Sequence, residues 1–181
     1  HEDLAAYLND LDMNLIWQAF NPLDLERVVQ LINKTNQFNL TTRRYNRHQV
    51  EAMMAEPDII TLQFRLRDRF GDNGIIAIII ARLQQGETLL IDTFLMSCRV
   101  LGRRVEHAVL NVLASIAQKV GVRRIIGDYR ATPKNGLVSE LYLQLGFIPT
   151  VSETESASCF ELSLDEFNPF SVPSTIYQAE P

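Results

Sequence analysis

The chain has only two cysteines, Cys98 and Cys159, in 181 residues, and neither a CxxC pair nor a histidine cluster accompanies them. A disulfide framework is excluded as the source of stability, no metal is expected, and a reducing, cytoplasmic setting is implied. Long hydrophobic runs are also missing. The longest unbroken apolar stretch, residues 75–81, is far short of the roughly 20 residues that a membrane helix needs, so no membrane association is expected. The chain begins His1-Glu2-Asp3, with no initiator Met and no basic-then-apolar leader. No signal peptide is expected, and the chain reads as excised from something longer. An excess of positive charge is lacking too: 17 Lys and Arg stand against 22 Asp and Glu, a net charge of −5. That balance argues against nonspecific nucleic-acid binding, which calls for a basic patch and a high pI.

What is present is the ordinary mixture of a globular domain, 46% hydrophobic and 22% charged. A chain of this length buries roughly 70% of its unfolded surface and so holds a sizeable core unaided. Residues 1–164 read as a single domain and residues 165–181, with Pro169, Pro173 and Pro181, as an irregular tail laid on the surface. The charge is unevenly placed. Residues 93–135 carry 8 basic and 2 acidic side chains, whereas residues 136–181 carry 7 acidic and none basic. The basic middle suits a small, locally held polyanion; solvated charge distributed by chance is the alternative.

Asn21-Pro22-Leu23-Asp24 offers an N-cap and an early proline before Leu25, Val28, Val29 and Ile32 at helical spacing. A second helix starts at Asn46, with Gln49 completing a capping box, and ends before Pro57. Ile60, Leu62, Phe64 and Leu66 alternate with polar residues, the run 75–82, apolar up to Arg82, suits a sheet interior, and residues 89–98 follow a further turn, so an antiparallel meander is expected. From Gly102 the period becomes helical, through Val105, Val109, Val112, Leu113, Ile116 and Val120. The strand at 123–129 then returns parallel to 89–98 in a right-handed crossover. A helix through Val138, Leu141, Tyr142 and Leu145 and a hairpin of 147–151 with 159–164 complete the order.

The informative junction is Ser97-Cys98-Arg99-Val100-Leu101-Gly102-Arg103-Arg104-Val105, where a strand ends and a long helix begins. The first amides of a helix lack internal partners and sit at the positive end of its dipole, so they can hold a phosphate. Gly102 lets a ligand approach the backbone, and Arg99, Arg103 and Arg104 add charge.

This order of elements resembles the GNAT acyltransferase fold, an α/β (α+β) architecture of a mixed twisted sheet with flanking helices. In that fold an Arg/Gln-x-x-Gly-x-Gly/Ala turn cradles the pyrophosphate of acetyl-CoA. Arg99 and Gly102 match the first two anchors; Arg104 stands where Gly or Ala is usual, and either crowds the pyrophosphate or binds a phosphate directly. The blocks Asn33-Lys34-Thr35-Asn36-Gln37-Phe38-Asn39-Leu40-Thr41-Thr42-Arg43-Arg44-Tyr45 and Asp92-Thr93-Phe94-Leu95-Met96-Ser97-Cys98-Arg99-Val100-Leu101-Gly102-Arg103 are, more narrowly, similar to the C-terminal GNAT-like part of FkbH-type proteins. That resemblance implies a preceding HAD-like domain, an acyl carrier protein as partner, and the loading of a glyceryl-type unit in polyketide-type biosynthesis.

The resemblance implies CoA or phosphopantetheine contacts at Leu95, Met96, Arg99, Leu101, Gly102, Arg103, Arg104, Val105 and Asn135. Tyr142 matches the tyrosine that protonates a departing thiolate, and an aromatic on an apolar stripe is the other reading. Asp92 is a candidate base, or a carboxylate paired with an arginine. Asn135 contacts the cofactor arm or caps its helix. Cys98, without an evident His partner, reads as packed core, and His107 as solvated on the polar face of the long helix. The amide-rich block 33–45 either receives the acyl acceptor or supplies caps and turns.

Overall fold

The computed structural model describes residues 2–152 and 157–181. The chain opens with α1 (Glu2–Asp10) and β1 (Asn14–Gln18), both too short to leave a periodic signal in the sequence. Asn21 then caps a 3-10 turn at Pro22–Asp24 by accepting from the Leu23 amide at 2.9 Å. That turn leads into α2 (Leu25–Lys34), which buries Leu25, Val28, Leu31 and Ile32. The capping box of Asn46 and Gln49 forms as expected and starts α3 (Arg47–Ala55).

The meander follows as β2 (Ile59–Asp68), β3 (Gly71–Gln84) and β4 (Thr88–Met96), each antiparallel to the last. The crossover helix α4 (Val105–Lys119) delivers β5 (Arg124–Tyr129) parallel to β4. The expected helix at 138–145 shrinks to a 3-10 turn at Gly136–Val138 and a single turn, α5 (Leu141–Gln144). The hairpin β6 (Ile148–Thr150) and β7 (Ser158–Ser163) and a last strand, β8 (Thr175–Gln178), close one eight-stranded sheet of order β6-β7-β5-β4-β3-β2-β1-β8.

Two apolar layers flank this sheet. On one face α2 and α3 cover Ile75, Ile78, Ile80 and Leu95; on the other, α4 packs with Leu89, Ile91, Met96 and Ile125. Among the described residues no helix is long and apolar enough to cross a membrane.

The tail 165–181 departs from the irregular strap expected of it. Residues 175–178 pair in parallel with β1, whose outer edge would otherwise expose unpaired backbone groups. Just before that strand, the tail clamps α4. The Asn111 side chain exchanges two 2.9 Å hydrogen bonds with the Phe170 backbone, and the His107 ring meets Phe170 edge-on at 5.0 Å. His107 is therefore largely covered rather than solvated, because the apolar residues of the tail need a surface to lie on.

Candidate functional site

β4 contains the feature that shapes the site. Its register against β3 slips so that Ile80 faces Thr93 while Ala81 faces Ile91, leaving Asp92 as the extra residue of a bulge. A bulge bends a strand and re-aims its side chains. The pairing of β4 with β5 ends just before this point, at Ile91 opposite Gly127, and the two strands part.

The gap between them is filled by the chain itself. Residues 38–41 run antiparallel to β4: the Leu40 amide donates to Phe94 O at 3.1 Å and the Met96 amide to Phe38 O at 3.0 Å. On the other side, the Arg130 amide donates to Leu40 O at 2.8 Å. Asn135, fully buried, locks the segment by donating through Nδ2 to Asn39 O at 3.0 Å and Arg130 O at 2.9 Å. Its Oδ1 accepts from the Thr132 amide at 2.8 Å and Tyr129 Oη at 3.2 Å. The cofactor contact implied for Asn135 is thus corrected: its hydrogen-bonding groups are taken up within the fold, which is what a buried amide requires.

At the end of β4 lies the expected turn. Ser97 caps a 3-10 turn at Cys98–Val100, and Leu101 is exposed. Gly102 has φ +79° with open space where a side chain would stand, and Arg104, the residue before α4, has φ +59°. That left-handed backbone gives a physical reason for a small residue at this place, since any side chain there is strained. The amides from Gly102 to His107 donate to no acceptor among the described residues. They form a run of free donors at the positive end of a 15-residue helix.

The three arginines around the turn are each held by the fold. Arg99 Nη2 donates to Asn73 O at 3.1 Å and its Nε to Ser97 Oγ at 3.2 Å. Arg103 pairs with Asp68 at 3.0 Å. Burial raises the Asp68 carboxyl, but the Phe70 amide, Asn73 and Arg103 outweigh it and hold that group below the usual carboxylate value. Arg104 turns to the tail, donating to Ser171 O through Nε at 3.2 Å and Nη2 at 3.1 Å. Leu95, Met96 and Val105 are buried, so at these positions only backbone is available to a ligand. Cys98 is exposed, with Sγ 3.2 Å from Gln37 Oε1, and so is not packed core as expected; the 3-10 turn carries it outward.

Asp92 belongs to a separate polar group at the bulge. Tyr45 Oη donates to its carboxylate at 2.8 and 3.0 Å, Thr93 Oγ1 at 2.8 Å and Arg82 Nε at 3.2 Å. Arg43 stands between Asp92 and Asp128, at 3.7 and 3.6 Å. This is the geometry of a carboxylate paired with arginines. Burial and the adjacent Asp92 charge push the Tyr45 phenol above its ordinary value, so it remains a donor.

Tyr142 lies behind β5. Its ring packs on Phe147 and Phe160 at centroid distances of 4.8 and 5.8 Å, and its buried hydroxyl has no hydrogen-bond partner among the described residues. Burial, and then Asp128, push the phenol far above its usual value. An acid held so high is poorly matched to protonating a thiolate near neutral pH. Removing an unsatisfied hydroxyl should not weaken the fold, so Tyr142→Phe is expected to melt at or about 2 °C above the parent chain, read by differential scanning calorimetry.

Sequence reading missed Arg82, Asp128 and Arg130. The period-two alternation of β5 signalled Asp128 and Arg130, because it places Arg124, Ile126 and Asp128 on one face with Arg130 following in step; Arg82, in β3, had no such signal.

No protein-family model and no curated protein matches the chain. Solved structures do. The PaiA N-acetyltransferase of Thermoplasma acidophilum, in complex with coenzyme A, aligns at TM-score 0.65 and 13% identity over 83% of this chain and 99% of its own. The GNAT domain of S. lividans PAT aligns at 0.63 and 17% over 81% and 89%. The spermidine N-acetyltransferase of Vibrio cholerae, in complex with CoA and spermine, aligns at 0.64 and 12% over 86% and 97%. The chain therefore has the GNAT fold, as its element order led us to expect.

Proposed function

We propose that this is an acyltransferase-type domain that binds CoA, an acyl-CoA or the phosphopantetheine arm of an acyl carrier protein at residues 99–105. The observation that carries this reading is the run of free amides from Gly102 to His107 beneath open space at Gly102. A phosphate accepts from such donors at the positive end of a helix dipole. Structural likeness to acetyltransferases solved with CoA supports the same reading. The similarity of blocks 33–45 and 92–103 to FkbH-type proteins extends it: a cytoplasmic domain beside a HAD-like one, helping to load a small, glyceryl-like acyl unit onto its carrier in polyketide-type biosynthesis. Here the chain's own part is to hold the phosphate and orient the arm.

Calorimetric titration with CoA and with a phosphopantetheinylated carrier protein tests the proposal. The parent chain should bind at least one of them, and Gly102→Trp should weaken that binding by about tenfold or more, because an indole on a left-handed residue covers the free amides. Absence of binding to both ligands overturns it.

A second reading, a docking module without chemistry of its own, is favoured by the gap between β4 and β5 being occupied by residues 38–41. Acyl transfer that is unaltered in Tyr142→Phe removes that residue from catalysis. A domain that binds the carrier but transfers nothing is the docking module.

A further inference from the structure

We propose that the cleft on the β4–β5 face opposite α4 is a binding site for a small phosphate monoester, with Arg130 as the residue that recognises it. The cleft has a volume of about 420 Å³ and is lined by Arg43, Thr88, Arg124, Asp128, Arg130 and Thr150, with Leu90 and Ile126 as apolar floor. That is within the size range of small-ligand pockets, and an apolar floor with a few convergent polar groups is their usual make-up.

The charge arrangement selects the ligand. Arg43 is engaged, donating to Asp92 O at 2.7 Å between two carboxylates. Arg124 donates to Thr88 Oγ1 at 2.7 Å and to Glu161 Oε1 at 3.1 Å, with half of its side chain exposed. Arg130 differs from both. Its guanidinium has no carboxylate or hydrogen-bond partner among the described residues, and its Nε is buried without one. A buried, unpaired guanidinium N–H is costly, and the cost is relieved when an oxyanion enters the cleft beside it. The planar fork of arginine matches phosphate oxygens in pairs. Arg130 thus offers unengaged donors beside the half-exposed Arg124, a pairing suited to an oxyanion with several acceptor oxygens, as a phosphate has.

The backbone of Arg130 is set in advance. Its amide donates to Leu40 O at 2.8 Å and its carbonyl accepts from Asn135 Nδ2 at 2.9 Å. The side chain is thus presented by a fixed main chain, a form of preorganisation. This site stands apart from the free amides at 102–107 and does not depend on the acyltransferase reading.

The test titrates the full chain with inorganic phosphate, methyl phosphate and acetate, followed by backbone amide NMR shifts. Phosphate and methyl phosphate should bind saturably and about tenfold or more tightly than acetate, with shifts centred on residues 124–130. Arg130→Met should lower phosphate affinity by about tenfold while its amide spectrum remains that of the parent fold, and Arg124→Met provides the same reading if Arg130→Met does not fold. Gly102→Trp should leave the affinity read from the shifts at residues 124–130 within about twofold, since it alters only the other anion site. The proposal is overturned by absence of saturable phosphate-induced shifts at residues 124–130, by acetate producing them as readily as phosphate, by parent-like affinity in the arginine variants, or by loss of those shifts in Gly102→Trp.

Discussion

Gly127→Ala is expected to destabilise the protein by about 3 kcal/mol, a fall of roughly 6–12 °C in melting temperature for a chain of this size. A Cβ at this position would stand 2.4 Å from Tyr142 Cζ and 2.6 and 2.7 Å from Cε1 and Cε2. Neither side yields easily. Gly127 lies in β5 between Ile91 of β4 and Phe160 of β7, and the Tyr142 ring is held between Phe147 and Phe160. Interiors packed at crystal density pass such an overlap on to their neighbours rather than absorb it.

A double-mutant cycle read by thermal or denaturant unfolding isolates the contact. Adding Tyr142→Phe to Gly127→Ala should rescue nothing, because all three ring carbons remain. Adding Tyr142→Leu should recover about 1 kcal/mol or more relative to the sum of the single changes. Strict additivity would show that the ring is not the obstacle.

Asn135→Ala carries the second large effect, again about 3 kcal/mol, because the deletion strands several buried partners at about 1 kcal/mol or more each. Those partners are Asn39 O, Arg130 O and the Thr132 amide. The loss should also be local in character. Hydrogen exchange at the Leu40, Met96 and Arg130 amides should quicken beyond the global change, since these bonds hold residues 38–41 between β4 and β5. Asn135→Asp, which keeps the shape and the acceptor but loses both donors, should behave like the alanine variant. Uniform acceleration of exchange across the sheet would instead mean that Asn135 supports the fold without anchoring that segment. If residues 38–41 limit how deep a thioester arm can reach from the turn at 99–105, Asn135→Ala should also bind CoA more tightly per folded molecule, measured by calorimetry below its melting temperature.

Much of this architecture was legible in local signals. The Asn46–Gln49 capping box forms where the sequence places it, the meander β2–β3–β4 follows its alternating and wholly apolar runs, and the change of period after Gly102 marks the crossover helix. These readings succeed because capping, alternation and helical spacing act within a few residues. The readings of His107 and the tail went otherwise for the opposite reason, since the two take their environment from each other across the molecule. Cys98 is turned outward by a 3-10 turn too short to leave a periodic signal.

The scarcity of cysteine, of long apolar runs and of net positive charge, together with local periodicity, was enough by itself to determine a mixed α/β domain with a free-amide turn at the end of β4. Only the tertiary structure decided that residues 38–41 enter the gap beside β4, that Arg43 stands between Asp92 and Asp128, and that Arg130 lines a cleft without an ion-pair partner among the described residues. The partners concerned, such as Leu40 with Phe94 or Arg43 with Asp128, lie far apart along the chain, and they meet through backbone hydrogen bonds and charges that any sequence can supply. Such contacts leave no periodic trace, and the bulge at Asp92 that parts the strands becomes visible only once β3 and β4 are in register.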